Sequence, residues 1–203
     1  PGNPLLCVAR EGPADAITAP RESFRGKLAK SAFIVPSPMS ALTGLTQEGR
    51  VSVRSLNNTG PRFYLVVEFD FKRTEPEELA KLKGHKLEGA KTVNALMSSG
   101  LSSQEMCAAL GWHLTKFHKG KLATVVSSGG KSLHFWFNVK GMDEMRIAAW
   151  FAVARRLGAD PATWPRCQLV RLPGGLRDDG KRQTVIYFNP ANVVTDERKE
   201  IER

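Results

Sequence analysis

The sequence predicts an α+β fold, with a mixed or antiparallel sheet backed by helices, and three observations carry that expectation. Residues 63–71 (Phe-Tyr-Leu-Val-Val-Glu-Phe-Asp-Phe) are a dense run of β-forming side chains. Residues 123–138 read as two strands joined by a Ser-Ser-Gly-Gly-Lys turn. Residues 75–99, 102–118 and 143–157 carry apolar side chains at helical spacing. A chain of 203 residues, 41% of them hydrophobic, can bury one substantial core and is expected to form a single domain over residues 1–195.

Taken in order, residues 1–38 hold short apolar runs at 5–9 and 32–35, broken by proline and glycine and expected as short strands or irregular packing. Arg21, Arg25, Lys27 and Lys30 make this segment basic, which suits a solvated face or a nucleic-acid rim. Residues 37–60 are turn-rich, with a short strand expected at 51–54. The run at 63–71 follows, and its two acids, Glu68 and Asp70, lie two apart, so both face the same side of a strand. Adjacent carboxylates repel unless a cation sits between them; a divalent metal is the natural partner, with Lys72 and Arg73 or a solvated edge as the alternatives.

Pro76 sits near the start of the first helical run, and Gly84 and Gly89 can divide that run into two shorter helices. Ser102 can cap the next helix, with Glu105 three residues on completing a capping box. His113 and His118 are five apart, too far round a helix for a zinc pair, and read as surface or packing residues. Asp143 can cap the last helix, which Gly158 ends.

The stretch at 123–138 concentrates the chemistry. Alternation puts Ser132, His134 and Trp136 on the face opposite Leu133, Phe135 and Phe137. The hydroxyl of Ser132, the imidazole of His134 and the ammonium of Lys131 are all donors, and Gly129 and Gly130 let the backbone approach an anion such as a triphosphate. The plainer alternative is a glycine hairpin with a solvent-facing Ser and His. Gly130-Lys131-Ser132 imitates the end of a P-loop, but the first glycine of that motif would fall at Val125 and a strand, not a helix, follows. Downstream, a short strand runs into Arg171-Leu-Pro-Gly-Gly, a basic loop with Arg177, Lys181 and Arg182, and a last strand. Rigid guanidinium forks beside a tight turn are good phosphate ligands, although a basic surface loop reads equally well. The run Lys116, His118, Lys119, Lys121 leads into the hairpin, where it can rim a phosphate site or simply be solvated.

Thirty Lys plus Arg against twenty Asp plus Glu leave a net charge of +10, which favours a polyanionic partner. The three cysteines, Cys7, Cys107 and Cys167, are widely spaced and odd in number, which supports neither a disulfide framework nor a zinc site. No apolar run approaches the length of a membrane span and residues 1–6 lack a signal-peptide pattern, so no membrane partner and a cytoplasmic, reducing location are expected.

In combination, Leu65-Val-Val-Glu-Phe-Asp70, Ser128-Gly-Gly-Lys-Ser-Leu-His134 and Arg171-Leu-Pro-Gly-Gly175 resemble the motifs of the archaeo-eukaryotic primase superfamily. The likeness is to the primase-polymerase domains of phages, plasmids and integrated elements, and it covers residues 63–190. It implies a two-lobed fold with an RRM-like catalytic sheet, an N-terminal lobe over residues 1–60 and a catalytic lobe over 61–195. Residues 196–203 would begin a linker to a further domain, with a replicative helicase as a candidate partner. The implied activity is that of a DNA primase/polymerase, moving nucleotides from NTP or dNTP onto a strand templated by single-stranded DNA. Glu68 and Asp70 would hold Mg2+ or Mn2+ and act with His134 as the catalytic set. Ser132, His134 and Lys131 would bind the triphosphate, Arg171 and Lys181 would add charge around it, and Arg177, Arg182, Lys119 and Lys121 would contact DNA. The family's third metal-binding acid has no clear match; Asp160 is the choice, ahead of Asp178 and Asp179. A catalytically degenerate member, serving as a replication initiator or single-strand-binding module, is the alternative.

Overall fold

The computed structural model describes residues 3–69 and 71–194. Asp70, and the linker expected at 196–203, therefore lie outside the described residues. The fold is α+β, and its strands pair antiparallel. The central sheet holds four strands in the order β10-β7-β8-β6: β6 (Tyr64–Glu68), β7 (Leu122–Ser127), β8 (Leu133–Asn138) and β10 (Thr184–Phe188). β7 and β8 are the expected hairpin. A second four-stranded sheet is built from β1 (Leu5–Ala9), β2 (Ile17–Pro20), β3 (Phe33–Ile34) and β9 (Val170–Arg171), in the order β2-β1-β3-β9. A small ribbon pairs β4 (Gly44–Leu45) with β5 (Val51–Ser52).

Of the two final strands, only β10 joins the sheet that holds Glu68. β9 instead pairs with β3, Phe33 opposite Arg171 and Ile34 opposite Val170, so the second sheet takes strands from both ends of the chain. The physical reason lies in Val170, which packs with Val66, Val126 and Trp136 on the face of the central sheet turned away from the helices.

The other face of that sheet is covered by α3 (Ser103–Phe117) and α4 (Glu144–Arg156). Leu65, Val67, Leu133, Phe135 and Phe137 meet Cys107, Leu110, Leu114, Ile147 and Phe151 there in the main core. The first helical run does divide in two, α1 (Pro76–Leu79) and α2 (Gly84–Met97). The Ser102 capping box forms as expected: the Glu105 amide donates to the Ser102 hydroxyl, and the Ser102 amide to the Glu105 carboxylate at 2.8 Å. No helix among the described residues is long and apolar enough to cross a membrane.

Candidate functional site

The register of the central sheet brings the first two motifs together. Glu68, the last residue of β6, is directly opposite His134 of β8, so the two side chains share the face turned toward β9. The His134 Nε2 lies 3.4 Å from the Glu68 Oε1. Neither imidazole nitrogen has a hydrogen-bond partner, because that contact lacks the required geometry, and the residue is only 3% exposed. Burial, reinforced by the nearby positive charge of Arg171, pushes the His134 pKa down to about 3. The ring is therefore neutral near pH 7. The solvent-facing alternative for His134 is overturned: the face opposite Leu133, Phe135 and Phe137 is itself roofed, by Val170 and Ile34.

The glycine turn closes the same end of the hairpin. The Ser128 amide and hydroxyl both donate to the Ser132 carbonyl, at 3.1 and 3.0 Å, and the Ser132 hydroxyl donates to the Ser128 hydroxyl at 3.1 Å. Gly129 adopts φ +74°, a conformation that side chains other than glycine rarely enter, and this lets the chain reverse. The turn is held from two sides. Arg177 donates to the Ser128 carbonyl at 3.2 Å, and Gln104, in the first turn of α3, donates to the Gly130 carbonyl at 3.0 Å. Lys131 stays exposed at the apex.

Arg171 arrives from the second sheet, half-buried with its guanidinium 4.5 Å above the Phe33 ring. Burial and the neighbouring Arg177 pull its pKa below the usual guanidinium value, against the attraction of Glu68, Asp178 and Asp179. Glu68, His134, Arg171 and Arg177 thus share one electrostatic neighbourhood. Lys181 belongs to the same loop, at 3.6 Å from the Asp179 carboxylate that Arg177 also meets at 3.1 Å, while Arg182 donates to the Gly174 carbonyl at 3.2 Å. Asp178 and Asp179 therefore serve the basic loop.

Asp160 lies beside β6 through its backbone, its amide donating to the Glu68 carbonyl at 2.8 Å. Its carboxylate accepts from the Ala162 amide at 2.9 Å and so caps the 3-10 turn Pro161–Thr163. Among the described residues no three His, Cys, Asp or Glu side chains form a group able to hold a metal ion. His113 and His118 do approach, with ring centroids 5.3 Å apart, because His118 leaves helical geometry at the cap of α3.

Lys119 and Lys121 are not gathered with the others. They precede β7, whereas Ser128–Ser132 follows it, and a six-residue strand spans roughly 17 Å. The idea that this run rims the phosphate site is corrected: it sits at the opposite end of the hairpin. Sequence reading missed Ser128, Gln104 and Gln183, which fasten the loops around the site; Gln183 is fully buried and donates to the Ala32 carbonyl at 2.8 Å. Only Ser128 carried a signal, as the first residue of the Ser-Gly-Gly turn. No family model matches the chain, and searches of curated proteins and of solved structures likewise find no match.

Proposed function

We propose that this site binds a nucleoside triphosphate and transfers its nucleotidyl group to a strand templated by single-stranded DNA, as the resemblance to primase-polymerases implies. One arrangement carries the proposal: Glu68 opposite His134, beside the Ser128–Ser132 turn and facing Arg171. A buried imidazole with two unpartnered nitrogens is costly unless something polar enters. A polyphosphate oxygen meets that need, beside the positive charge of Arg171.

The donor set suits a hard divalent cation on one side and an anion on the other. Glu68 would hold Mg2+ or Mn2+, with Asp70 beyond the described residues as its partner; when bound, the metal supplies charge stabilisation at the phosphoryl oxygens and activates the attacking hydroxyl. The remaining roles belong to the chain. Neutral His134 has one N–H to donate to a phosphate oxygen and no charge to lose there. Ser132 can turn its hydroxyl from Ser128 to the same phosphate, Lys131 adds an exposed ammonium, and Arg171 sets a permanent positive charge where negative charge builds up. Arg177 keeps the turn in shape.

A second reading, binding without catalysis, is favoured by the use of the Asp160 carboxylate as a turn cap. Incorporation of labelled nucleotide on a single-stranded template with magnesium or manganese separates the two. Native protein should yield product, and Glu68→Ala, Asp70→Ala and His134→Ala should each abolish it. Absence of product from native protein that still binds template would establish the non-catalytic reading.

A further inference from the structure

The hairpin has a second basic end. Where β7 begins and β8 finishes, a cavity of about 440 Å3 opens between the end of α3 and the first turns of α4. Its wall is aromatic: Phe137 and Trp150 pack edge to face with centroids 4.7 Å apart, and the Trp150 indole N–H donates to the His118 carbonyl at 3.0 Å, which fixes the ring. Lys119, Lys121 and Arg146 line the same cavity, and among the described residues no carboxylate does. Among the described residues none of these three cations forms an ion pair. Lys119 is also the one described non-glycine residue with a left-handed backbone, at φ 52°, a strained conformation of the kind that gathers at ligand sites.

Three unpaired cations select an anion, and a fixed aromatic wall selects a flat, weakly polar group. One nucleotide of a single strand offers both. Building on the single-stranded template of the proposed function, we infer that this cavity is a template-strand subsite, separate from the triphosphate site and roughly one strand length, ~17 Å, away from it. Phosphates rest on Lys119, Lys121 and Arg146, and a base lies against Trp150 and Met142.

The test is binding of a fluorescent oligothymidine, followed by anisotropy in EDTA so that metal-dependent chemistry plays no part. Lys119→Glu/Lys121→Glu should weaken binding by at least ~10-fold and reduce the slope of log affinity against log salt by about 1.4, the share of two phosphate contacts on a single strand. Lys83→Glu/Lys86→Glu, the same charge change at the start of α2, should leave most of the affinity. An abasic strand of equal length should bind native protein more weakly than oligothymidine. Binding of a fluorescent nucleotide without template, in manganese, should be unchanged in the Lys119→Glu/Lys121→Glu protein. Equal losses in the two double variants, unchanged affinity after Lys119→Glu/Lys121→Glu, equal binding of abasic and thymidine strands, or no oligonucleotide binding by native protein would each overturn the subsite. Oligonucleotide binding that depends on Lys119 and Lys121 in a protein that binds no nucleotide would uphold the subsite and sink the nucleotidyl-transfer proposal.

Discussion

His134 sets the behaviour of the site at the scale of single residues. Its folded pKa, about 3, lies below the ordinary value of 6.5. Between those pH values the unfolded chain binds a proton that the folded chain refuses, so stability is fully present above pH 6.5 and is lost as pH falls toward 3. Urea unfolding in EDTA should show this decline, by on the order of a few kcal/mol across the window. His134→Gln should flatten it, since a side chain that cannot titrate removes the linkage. The pair Ser132 and His134 was legible from the alternation of residues 132–137. The burial of His134 was not, because a period of two separates the faces of a strand without saying what covers each face. Here the cover is Ile34 and Val170, far away in sequence at either end of the chain.

At the scale of elements, α3 does two jobs: it packs on β8 and steadies the glycine turn through Gln104. Gly111 marks its closest approach to the sheet, where an added Cβ would overlap the Phe135 ring. Helix propensity favours alanine at such a position by roughly 0.5–1 kcal/mol. Overpacking a buried ring outweighs that, so Gly111→Ala should lower unfolding free energy by about 1–3 kcal/mol. Ser102→Ala, which removes the cap at the exposed end of the same helix, should cost about 1 kcal/mol in the same measurement. The capping box, the division of the first helical run and the hairpin all rest on local chemistry, and all three could be read in advance. β9 could not be placed, since a two-residue strand has no period and its partner β3 is some 140 residues earlier, as the pairing of Phe33 with Arg171 shows.

Across the whole molecule, which carries a net charge of +10, two separate groups of basic residues stand at the two ends of one hairpin. The end bearing Arg171 and Arg177 faces a carboxylate and a buried imidazole; the end bearing Lys119, Lys121 and Arg146 faces an aromatic wall. The sequence pattern set Lys119 and Lys121 beside the Arg171 group and gave no sign of Arg146, because only the length of β7 keeps the two ends apart. The central claim is that a triphosphate occupies the first end, and calorimetric titration with a non-hydrolysable nucleoside triphosphate in manganese tests it most directly. Removing one charge-assisted phosphate contact costs about 1.5–3 kcal/mol. Arg171→Ala should therefore weaken binding by roughly 10- to 150-fold, with Arg171→Lys intermediate and Lys119→Glu/Lys121→Glu unchanged. Affinity that survives Arg171→Ala but falls with Lys119→Glu/Lys121→Glu would put the nucleotide at the wrong end of the hairpin and contradict the claim.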